Sequence, residues 1–370
     1  MAQQITNYQC PACTGPLQFS PTTGKLECEY CGSSFSIAEV EELYARKEEK
    51  AAEAMEAAAQ EQSRWDTSDL TDNWGEDAAS MRSYSCPSCG AELICDETTA
   101  ATACPYCGNP TVVPGQFTSS LRPDYLIPFQ LRKEDAIAKL KAYYKGKVFL
   151  PDTFRDQHTI EKIQGVYVPF WLYDGKVSGS YQYKATVVRV HRTREYEITT
   201  TDHYMVDRSG HMSFEKVPVD ASSKMPDDYM DSIEPFDYSA LKPFSTAYLP
   251  GFLADKYDVT AEQAHERVDQ RCIHSLETAV EGTLAGYTTR VRCGSSPVTM
   301  ERGKVHYALL PVWLLNVDWE GGKYLFAVNG QTGKVCGRLP ASKPKAWAFF
   351  AKLAVPLSIL GIVLAHLMVG

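Results

Sequence analysis

The chain has 370 residues, of which 44% are hydrophobic and 22% charged, and this length allows two or three domains with a buried core. Its net charge of -9 disfavours a general nucleic-acid-binding protein, because phosphate contacts need clustered Lys and Arg. The first residues, MAQQITNYQC, lack the charged and then apolar pattern of a secretory signal, so the 12 cysteines are expected to stay reduced. Paired Cys-x-x-Cys units then indicate metal sites rather than disulfides.

Two segments, residues 8–38 and residues 84–115, carry the same pattern of two Cys-x-x-Cys pairs separated by 14 residues. The predicted metal ligands are Cys10, Cys13, Cys28 and Cys31 in the first segment, and Cys86, Cys89, Cys104 and Cys107 in the second. Four thiolates match tetrahedral zinc coordination, and a two-residue gap lets both sulfurs of one turn reach one ion. Since four protein ligands leave no open position for water, we predict two zinc ribbons, each with one structural zinc ion.

Between the ribbons, residues 39–80 are predicted to form a helical spacer that ends in a polar linker. The stretch EVEELYARKEEKAAEAMEAAAQEQSR is rich in Ala, Glu and Lys, which favour helix, and it has few large apolar residues. No a/d heptad continues through it, so a solvated linker helix is favoured over a coiled coil.

Residues 121–340 are predicted to form a duplicated α+β domain, in which a helix plus antiparallel strands occurs twice. Helix-like KEDAIAKLKAYYKG precedes a strand with PFWL at residue 169, and helix-like TAEQAHERVDQRCIHSLETAV precedes a strand with PVWL at residue 311. Such a repeat indicates two related units that share a sheet or face each other. Thr260 and Gln263 predict a capping box at the start of the second helix. Between the halves, residues 186–219 predict antiparallel strands joined by a turn at Asp207–Gly210.

The stretch of residues 347–369 is predicted to be a transmembrane helix. Its only charged residue is Lys352, which lies near one end and can reach the interface. About 20 apolar residues span a hydrocarbon core, and the absence of a polar face argues against a buried core helix. The span is preceded by Lys334, Arg338, Lys343 and Lys345. The positive-inside rule therefore predicts a single-pass protein of the cell membrane whose N-terminal bulk is in the cytoplasm.

No catalytic residue and no organic cofactor site is predicted, so the chain is expected not to be an enzyme. The sequence contains no Ser-His-Asp order, no HExxH and no dinucleotide fingerprint. The NGQTGK stretch that begins at Asn329 has two residues between its glycines and Val335 after its Lys. It therefore fails the phosphate-loop pattern and predicts a hairpin turn. Cys95 is predicted to be a buried apolar side chain rather than a fifth ligand.

The chain resembles bacterial membrane proteins described as TFIIB-type zinc ribbon-containing proteins. The resemblance rests on CPSCGAEL, TACPYCG, YVPFWLYD, YLPGFLADKYDV, LLPVWLLN and FAVNGQTGKVCGRLP, in this order. One departure is Thr14, which follows the second cysteine of the first ribbon where many ribbons carry Gly. Members are often mislabelled as primosomal helicases, but no helicase motif is present here. The resemblance implies a protein without enzymatic activity. Some members are encoded beside phage-shock-like or flotillin-like proteins, so the resemblance also implies a membrane anchor for a stress-response assembly.

These observations favour a non-enzymatic adaptor that recruits cytosolic protein partners, such as phage-shock-like or flotillin-like proteins, to the inner face of the membrane. The alternative is a membrane-tethered nucleic-acid or transcription-machinery binding protein, which needs a basic face. The second ribbon has no Lys or Arg between Cys86 and Cys107, and the first sets Lys25 against Glu27 and Glu29. A further alternative is an enzyme that uses the aromatic-rich repeat domain as a pocket.

Overall fold

The computed structural model describes residues 8–21, 23–62, 64–96, 99, 103–115 and 120–369. The protein is a mixed α+β structure, as predicted. It divides into two compact units, of which the first ends at Arg64 and the second begins at Trp65.

The first unit contains a small antiparallel sheet and a helix. Its elements are β1 (Leu17–Ser20), β2 (Lys25–Cys28), β3 (Ser34–Phe35) and α1 (Ile37–Gln62), with strand order β1-β2-β3. A capping box starts α1, because Ser36 N donates to Glu39 Oε2 at 2.8 Å and Glu39 N donates to Ser36 Oγ at 3.2 Å. The Tyr44 hydroxyl accepts a hydrogen bond from Gln9 N at 2.6 Å and so ties α1 to the segment before β1.

The second unit is built around one large mixed sheet. Its elements are β4 (Met81–Ser85), β5 (Glu92–Asp96), β6 (Val113–Gly115), β7 (Tyr125–Leu126), α2 (Lys133–Tyr144), α3 (Gln157–Ile160), β8 (Gln164–Arg192), β9 (Glu197–Asp220), α4 (Asp227–Ile233), β10 (Lys242–Pro243), β11 (Leu253–Asp255), α5 (Ala261–Gly282), β12 (Thr289–Ser295), β13 (Thr299–Trp319), β14 (Gly322–Asn329), β15 (Val335–Gly337) and α6 (Lys343–Val369). The strand order is β10-β7-β13-β8-β11-β5-β4-β6. In addition, β9 and β12 pair with β8, and β14 pairs with β13 and β15.

The two Pro-x-Trp-Leu segments lie side by side in this sheet. β8 and β13 pair antiparallel, with Pro169 opposite Leu309 and Pro311 opposite Tyr167. Each segment therefore meets the other at the equivalent position, as around a local two-fold axis. Of the two predicted arrangements, the structure has the one in which both segments share a sheet.

Alternate residues of β8 enter two different cores. Val166, Val168 and Phe170 pack with the second cysteine-rich segment and with α4. Tyr167 and Trp171 pack with α5 on the other side. Because successive side chains of a strand point to opposite faces, both faces of the sheet are covered at this level.

The segment of residues 65–80 packs into the second unit instead of forming the end of a polar linker. Trp65 and Trp74 are 9% and 7% exposed and belong to the core on the α5 side of the sheet. The Trp65 ring meets the Tyr173 ring edge to face, with centroids 4.8 Å apart. Two large aromatic side chains supply this core contact within a stretch whose other residues are mostly polar.

β9 runs without interruption through the predicted turn at Asp207–Gly210, so that prediction was wrong. Arg208 pairs with Tyr181 and Gly210 pairs with Gly179 of β8. The chain instead turns at residues 193–196, where Thr193 N donates to Tyr196 O at 2.8 Å. Continuous pairing with β8 satisfies the backbone of a stretch whose composition favours a turn. The predicted hairpin turn after Asn329 is confirmed, because β14 and β15 pair around it.

α6 is long and apolar enough to cross a membrane, by length and composition, over Lys343–Ile362. None of its most apolar stretch is buried within the protein. Trp347 is 70% exposed and Leu357 is 64% exposed. A helix that is apolar on all sides and left uncovered by its own chain is typical of a membrane span.

Candidate metal centres

Four Cys-x-x-Cys turns with the same backbone geometry bring the predicted ligands together. In each turn, the carbonyl of the first cysteine accepts a hydrogen bond from the N–H four residues later, and its own N–H donates to the carbonyl five residues later. The residue four positions on has a positive φ in every case: 60° at Thr14, 71° at Gly32, 71° at Gly90 and 72° at Gly108. Glycine adopts this conformation freely because it has no Cβ, so Thr14 is the exception among the four turns.

Within each set of four cysteines, all sulfur atoms lie within 4.8 Å of one another. Separations of 3.4 to 3.6 Å are found for Cys10–Cys31, Cys13–Cys28, Cys86–Cys107 and Cys89–Cys104. Zn–S bonds of about 2.3 Å place tetrahedral sulfurs about 3.8 Å apart, whereas a disulfide needs about 2.05 Å. Each set therefore fits one zinc ion, as predicted. Four thiolates would complete the coordination sphere, so the zinc would be structural.

Nearby donors favour the thiolate form at one cysteine of each set. Ser33 Oγ lies 3.3 Å from Cys31 Sγ and, together with the Ser33 backbone N–H, lowers the pKa of Cys31 to about 6. At Cys86, burial opposes ionisation, but the backbone N–H groups of Cys89 and Ser88 lower the pKa to about 7. Because the thiolate is the zinc ligand, these donors favour the zinc-binding form of Cys31 and Cys86, whereas burial raises the pKa of Cys89 and Cys104.

The first centre lies in the first unit and is partly open to solvent, with two exposed and two buried ligands. Tyr30, between its last two ligands, is 78% exposed. The Tyr30 ring lies over Gly15, where an added Cβ would come within 3.1 Å of it. Phe19 on β1 is 54% exposed. This centre therefore displays aromatic side chains to its surroundings.

The second centre is part of the core of the second unit. Cys86 and Cys104 are 1% exposed and pack in the core formed by one face of β8. β4 and β5 pair with each other, and β5 continues into the large sheet through β11. Asn316 Nδ2 donates to Tyr106 O at 2.6 Å, and Lys323 Nζ donates to Cys107 O. The second ribbon is thus a built-in part of the fold rather than a free module.

Tyr106 occupies the same position in the second centre as Tyr30 in the first, but it is 6% exposed. Its hydroxyl donates to Asp255 Oδ2 at 2.6 Å, and this oxygen also accepts from Ser222 Oγ at 2.7 Å. Asp255 is 2% exposed, and burial raises its pKa to about 7 although both donors oppose the shift. Sequence reasoning missed this trio, because its members come from three distant segments and no local pattern marks them.

Among the residues that the structure describes, no other group of three or more His, Cys, Asp or Glu residues is close enough to hold a metal ion. Cys95 is fully buried on β5, as predicted, and its Sγ donates to Thr99 O at 3.1 Å. Cys272 is also buried, among apolar side chains of α5 and the sheet.

A family profile described as Trm112p-like protein matches residues 9–39, which contain all four ligands of the first centre. This match and the sulfur geometry confirm a zinc-binding N-terminal segment. The uncharacterised protein YdjG of Bacillus subtilis (strain 168) is 33% identical to the chain over 368 residues, which cover 99% of each of the two proteins. No solved structure matches the chain. The finer resemblance to TFIIB-type membrane proteins stays a prediction.

Proposed function

The chain belongs to the family of YdjG, and we propose that it is a non-enzymatic, membrane-anchored adaptor whose first zinc ribbon recruits cytosolic protein partners to the inner face of the membrane. The contrast between Tyr30 and Tyr106 carries this proposal. Tyr106 docks its ribbon onto the chain's own sheet through a buried carboxylate, whereas Tyr30 is 78% exposed. The first ribbon has the same docking residue, and the surface that receives it belongs to a partner.

The metal in this proposal folds the docking surface and takes no part in chemistry. A ribbon of about 30 residues has too little core to be stable alone, and zinc supplies the missing folding free energy. Four thiolates leave no coordination site for a substrate or a water molecule. The absence of an open position supports a non-enzymatic role.

α6 is the membrane anchor in this proposal. The lysines at its start, Lys343 and Lys345, support a cytoplasmic position for the body of the protein through the positive-inside rule. Reduced zinc thiolates need the same compartment. Anchor and metal chemistry therefore support the same topology, with both ribbons in the cytoplasm.

Protein partners are favoured over nucleic acid on charge. The first ribbon carries Lys25 against Glu27 and Glu29, and no basic face follows from that balance. The resemblance to TFIIB-type zinc-ribbon membrane proteins suggests phage-shock-like or flotillin-like partners and a role in a membrane-stress response.

The test compares the full chain with two tyrosine variants in native membranes. Tyr30→Ser removes the exposed docking residue, and Tyr196→Ser is the matched control, because Tyr196 is 67% exposed on the hairpin between β8 and β9. After light crosslinking and extraction in mild detergent, co-purifying proteins are identified by mass spectrometry. We expect at least one protein to be lost from Tyr30→Ser and kept by Tyr196→Ser. Loss of nuclease-sensitive nucleic acid instead would favour the transcription-machinery alternative, and three identical protein lists would contradict docking at the first ribbon.

A further inference from the structure

The segment that follows α2 is fixed against the first turns of α6. Ser342 N donates to Phe149 O at 2.8 Å, and Lys345 Nζ donates to Leu150 O at 2.9 Å. The rings of Phe149 and Phe349 meet edge to face, with centroids 5.4 Å apart. When α6 enters a membrane, the loop of residues 145–149 therefore lies at the same depth as the start of α6.

That depth is the membrane interface when α6 spans the bilayer. The apolar run of α6 begins at Trp347, shortly after the charged residues Lys343 and Lys345, and such a change from charged to apolar residues marks the edge of the hydrocarbon core. Trp347 and Phe350 stack edge to face with centroids 5.8 Å apart, next to Phe349. Aromatic side chains collect where hydrocarbon meets headgroups. The contact between Phe149 and Phe349 thus holds the loop at headgroup level.

The loop presents apolar and basic side chains together. Val148 is 57% exposed, and Lys145 and Lys147 are exposed on either side of Gly146. From Ala136 to Pro151 the sequence has four lysines and no Asp or Glu. Exposed apolar residues among lysines are the composition of segments that bind the surface of anionic membranes.

A basic cavity lies beside this loop, between the end of α2 and α3. Its volume is about 530 Å³, and its lining includes Lys141, Tyr144, Lys145, Arg155 and Ile160. Arg155 is held in place by the carbonyls of Tyr144 and Lys147, to which it donates at 3.3 and 2.8 Å. The cations around an apolar floor complement a phosphate that is attached to lipid chains.

We propose that the loop of residues 145–149 and the adjacent cavity form a second membrane contact that binds anionic lipid headgroups. This inference rests on the proposed membrane anchoring by α6. Val148 and Phe149 enter the interface, and Lys145, Lys147 and Arg155 meet the phosphates. Two points of contact, the helix and the loop, fix the orientation of the second unit on the membrane, which a single helix does not do.

The test uses the full chain in lipid nanodiscs with a photoreactive benzophenone amino acid at Val148. Lipid adducts are measured by mass spectrometry in phosphatidylcholine alone and in phosphatidylcholine with phosphatidylglycerol. We expect an adduct at Val148 that increases with the anionic lipid. Replacing Lys145 and Lys147 by Gln should lower the adduct by about fivefold per lysine. The matched pair Lys184→Gln and Lys242→Gln, exposed lysines of β8 and β10, should leave it unchanged.

Two further probe positions separate this inference from the anchoring on which it rests. Leu357 lies in α6, and Val291 is 64% exposed on β12. We expect a lipid adduct at Leu357 and none at Val291. An adduct at Leu357 without one at Val148 would overturn the loop contact and leave the anchor standing, whereas no adduct at Leu357 would overturn both. Headgroup binding would also be overturned by an adduct at Val291 as abundant as that at Val148. The same holds for an adduct at Val148 whose yield changes neither with the anionic lipid nor on replacement of Lys145 and Lys147.

Discussion

Thr14 holds a left-handed backbone position that glycine holds in the other three Cys-x-x-Cys turns. For a residue with a Cβ, this conformation costs about 1–2 kcal/mol. The Thr14 hydroxyl donates to Cys13 O at 2.6 Å and offsets part of that cost. The sequence shows that glycine is replaced at this position, but only the φ angle shows that the replacement strains the first centre.

We expect Thr14→Gly to stabilise the first centre by about 1 kcal/mol and to slow zinc release about fivefold. The reverse change, Gly90→Thr, should destabilise the second centre by about 1–2 kcal/mol. An added Cβ at Gly90 meets nothing within 4 Å, so this cost is conformational rather than steric. The rate of zinc release from each variant is measured with a colorimetric chelator. Faster release from Thr14→Gly would show that its hydroxyl contact outweighs the strain.

Burial raises the pKa of Asp255 from 3.8 to about 7, so its ionisation weakens the folded state. The stability that the neutral carboxyl contributes is complete below pH 3.8 and is lost as the pH rises through about 7. We expect Tyr106→Phe to lower the free energy of unfolding of the second unit by about 1–3 kcal/mol. The loss should be larger at pH 8 than at pH 6, because the hydrogen bond from the Tyr106 hydroxyl contributes more to stability when the Asp255 carboxyl is ionised. Denaturant unfolding in detergent at both pH values measures it.

Tyr144→Phe is the control for this substitution. The Tyr144 hydroxyl is buried and has no hydrogen-bond partner among the residues that the structure describes, so its removal should leave the free energy of unfolding unchanged or slightly higher. Equal losses in the Tyr106 and Tyr144 variants, or a Tyr106→Phe loss that does not depend on pH, would contradict the role of the hydrogen bond to Asp255.

At the scale of elements, the two ribbons have the same ligand pattern and different surroundings. The pattern could be predicted because the ligand spacing and the turns are local. The difference could not, since the second ribbon enters the sheet through Leu93 opposite Asp255, which are far apart in sequence. The same limit explains β9, whose continuous pairing with β8 overrides a turn-like sequence at Asp207–Gly210. The start of α5, by contrast, was predictable, because the Thr260–Gln263 capping box is local.

Loss of one zinc centre should affect only the unit that contains it. We expect Cys10→Ser and Cys86→Ser each to lower the zinc content from about two ions per chain to about one. Cys10→Ser should leave the stability of the second unit unchanged within about 0.5 kcal/mol. Cys86→Ser should destabilise that unit by several kcal/mol, because metal binding contributes folding free energy to the core around it. Elemental analysis and limited proteolysis of the second unit measure these outcomes.

The same two serine variants can also contradict the expectation that each zinc centre stabilises only its own unit. A second unit that becomes equally sensitive to protease in Cys10→Ser would mean that the first centre supports it. A second unit that resists protease in Cys86→Ser would mean that the core around β8 does not need its zinc. Either result would remove the physical difference between the ribbons on which the adaptor function depends.

At the scale of the whole molecule, the sequence predicted what lies at each end of the chain. Zinc ligands and an apolar helix are recognisable from local pattern and composition. The role of Trp65 and Trp74 was not predictable, because their partners on β8 and near Ser120 are brought to them by the sheet. Because both side chains are buried there, residues 65–80 belong to the second unit and not to the linker. The first unit is then the part of the chain that displays a ribbon.

An adaptor of this kind concentrates its partners at the membrane only when both ends of the chain are intact. Quantitative proteomics of membrane fractions tests this in cells that carry the wild-type chain, Tyr30→Ser, the control Tyr196→Ser, or a chain without α6. We expect one set of proteins to leave the membrane fraction both in Tyr30→Ser and without α6, and to remain there in Tyr196→Ser. A membrane proteome that is the same in all four would contradict the adaptor function.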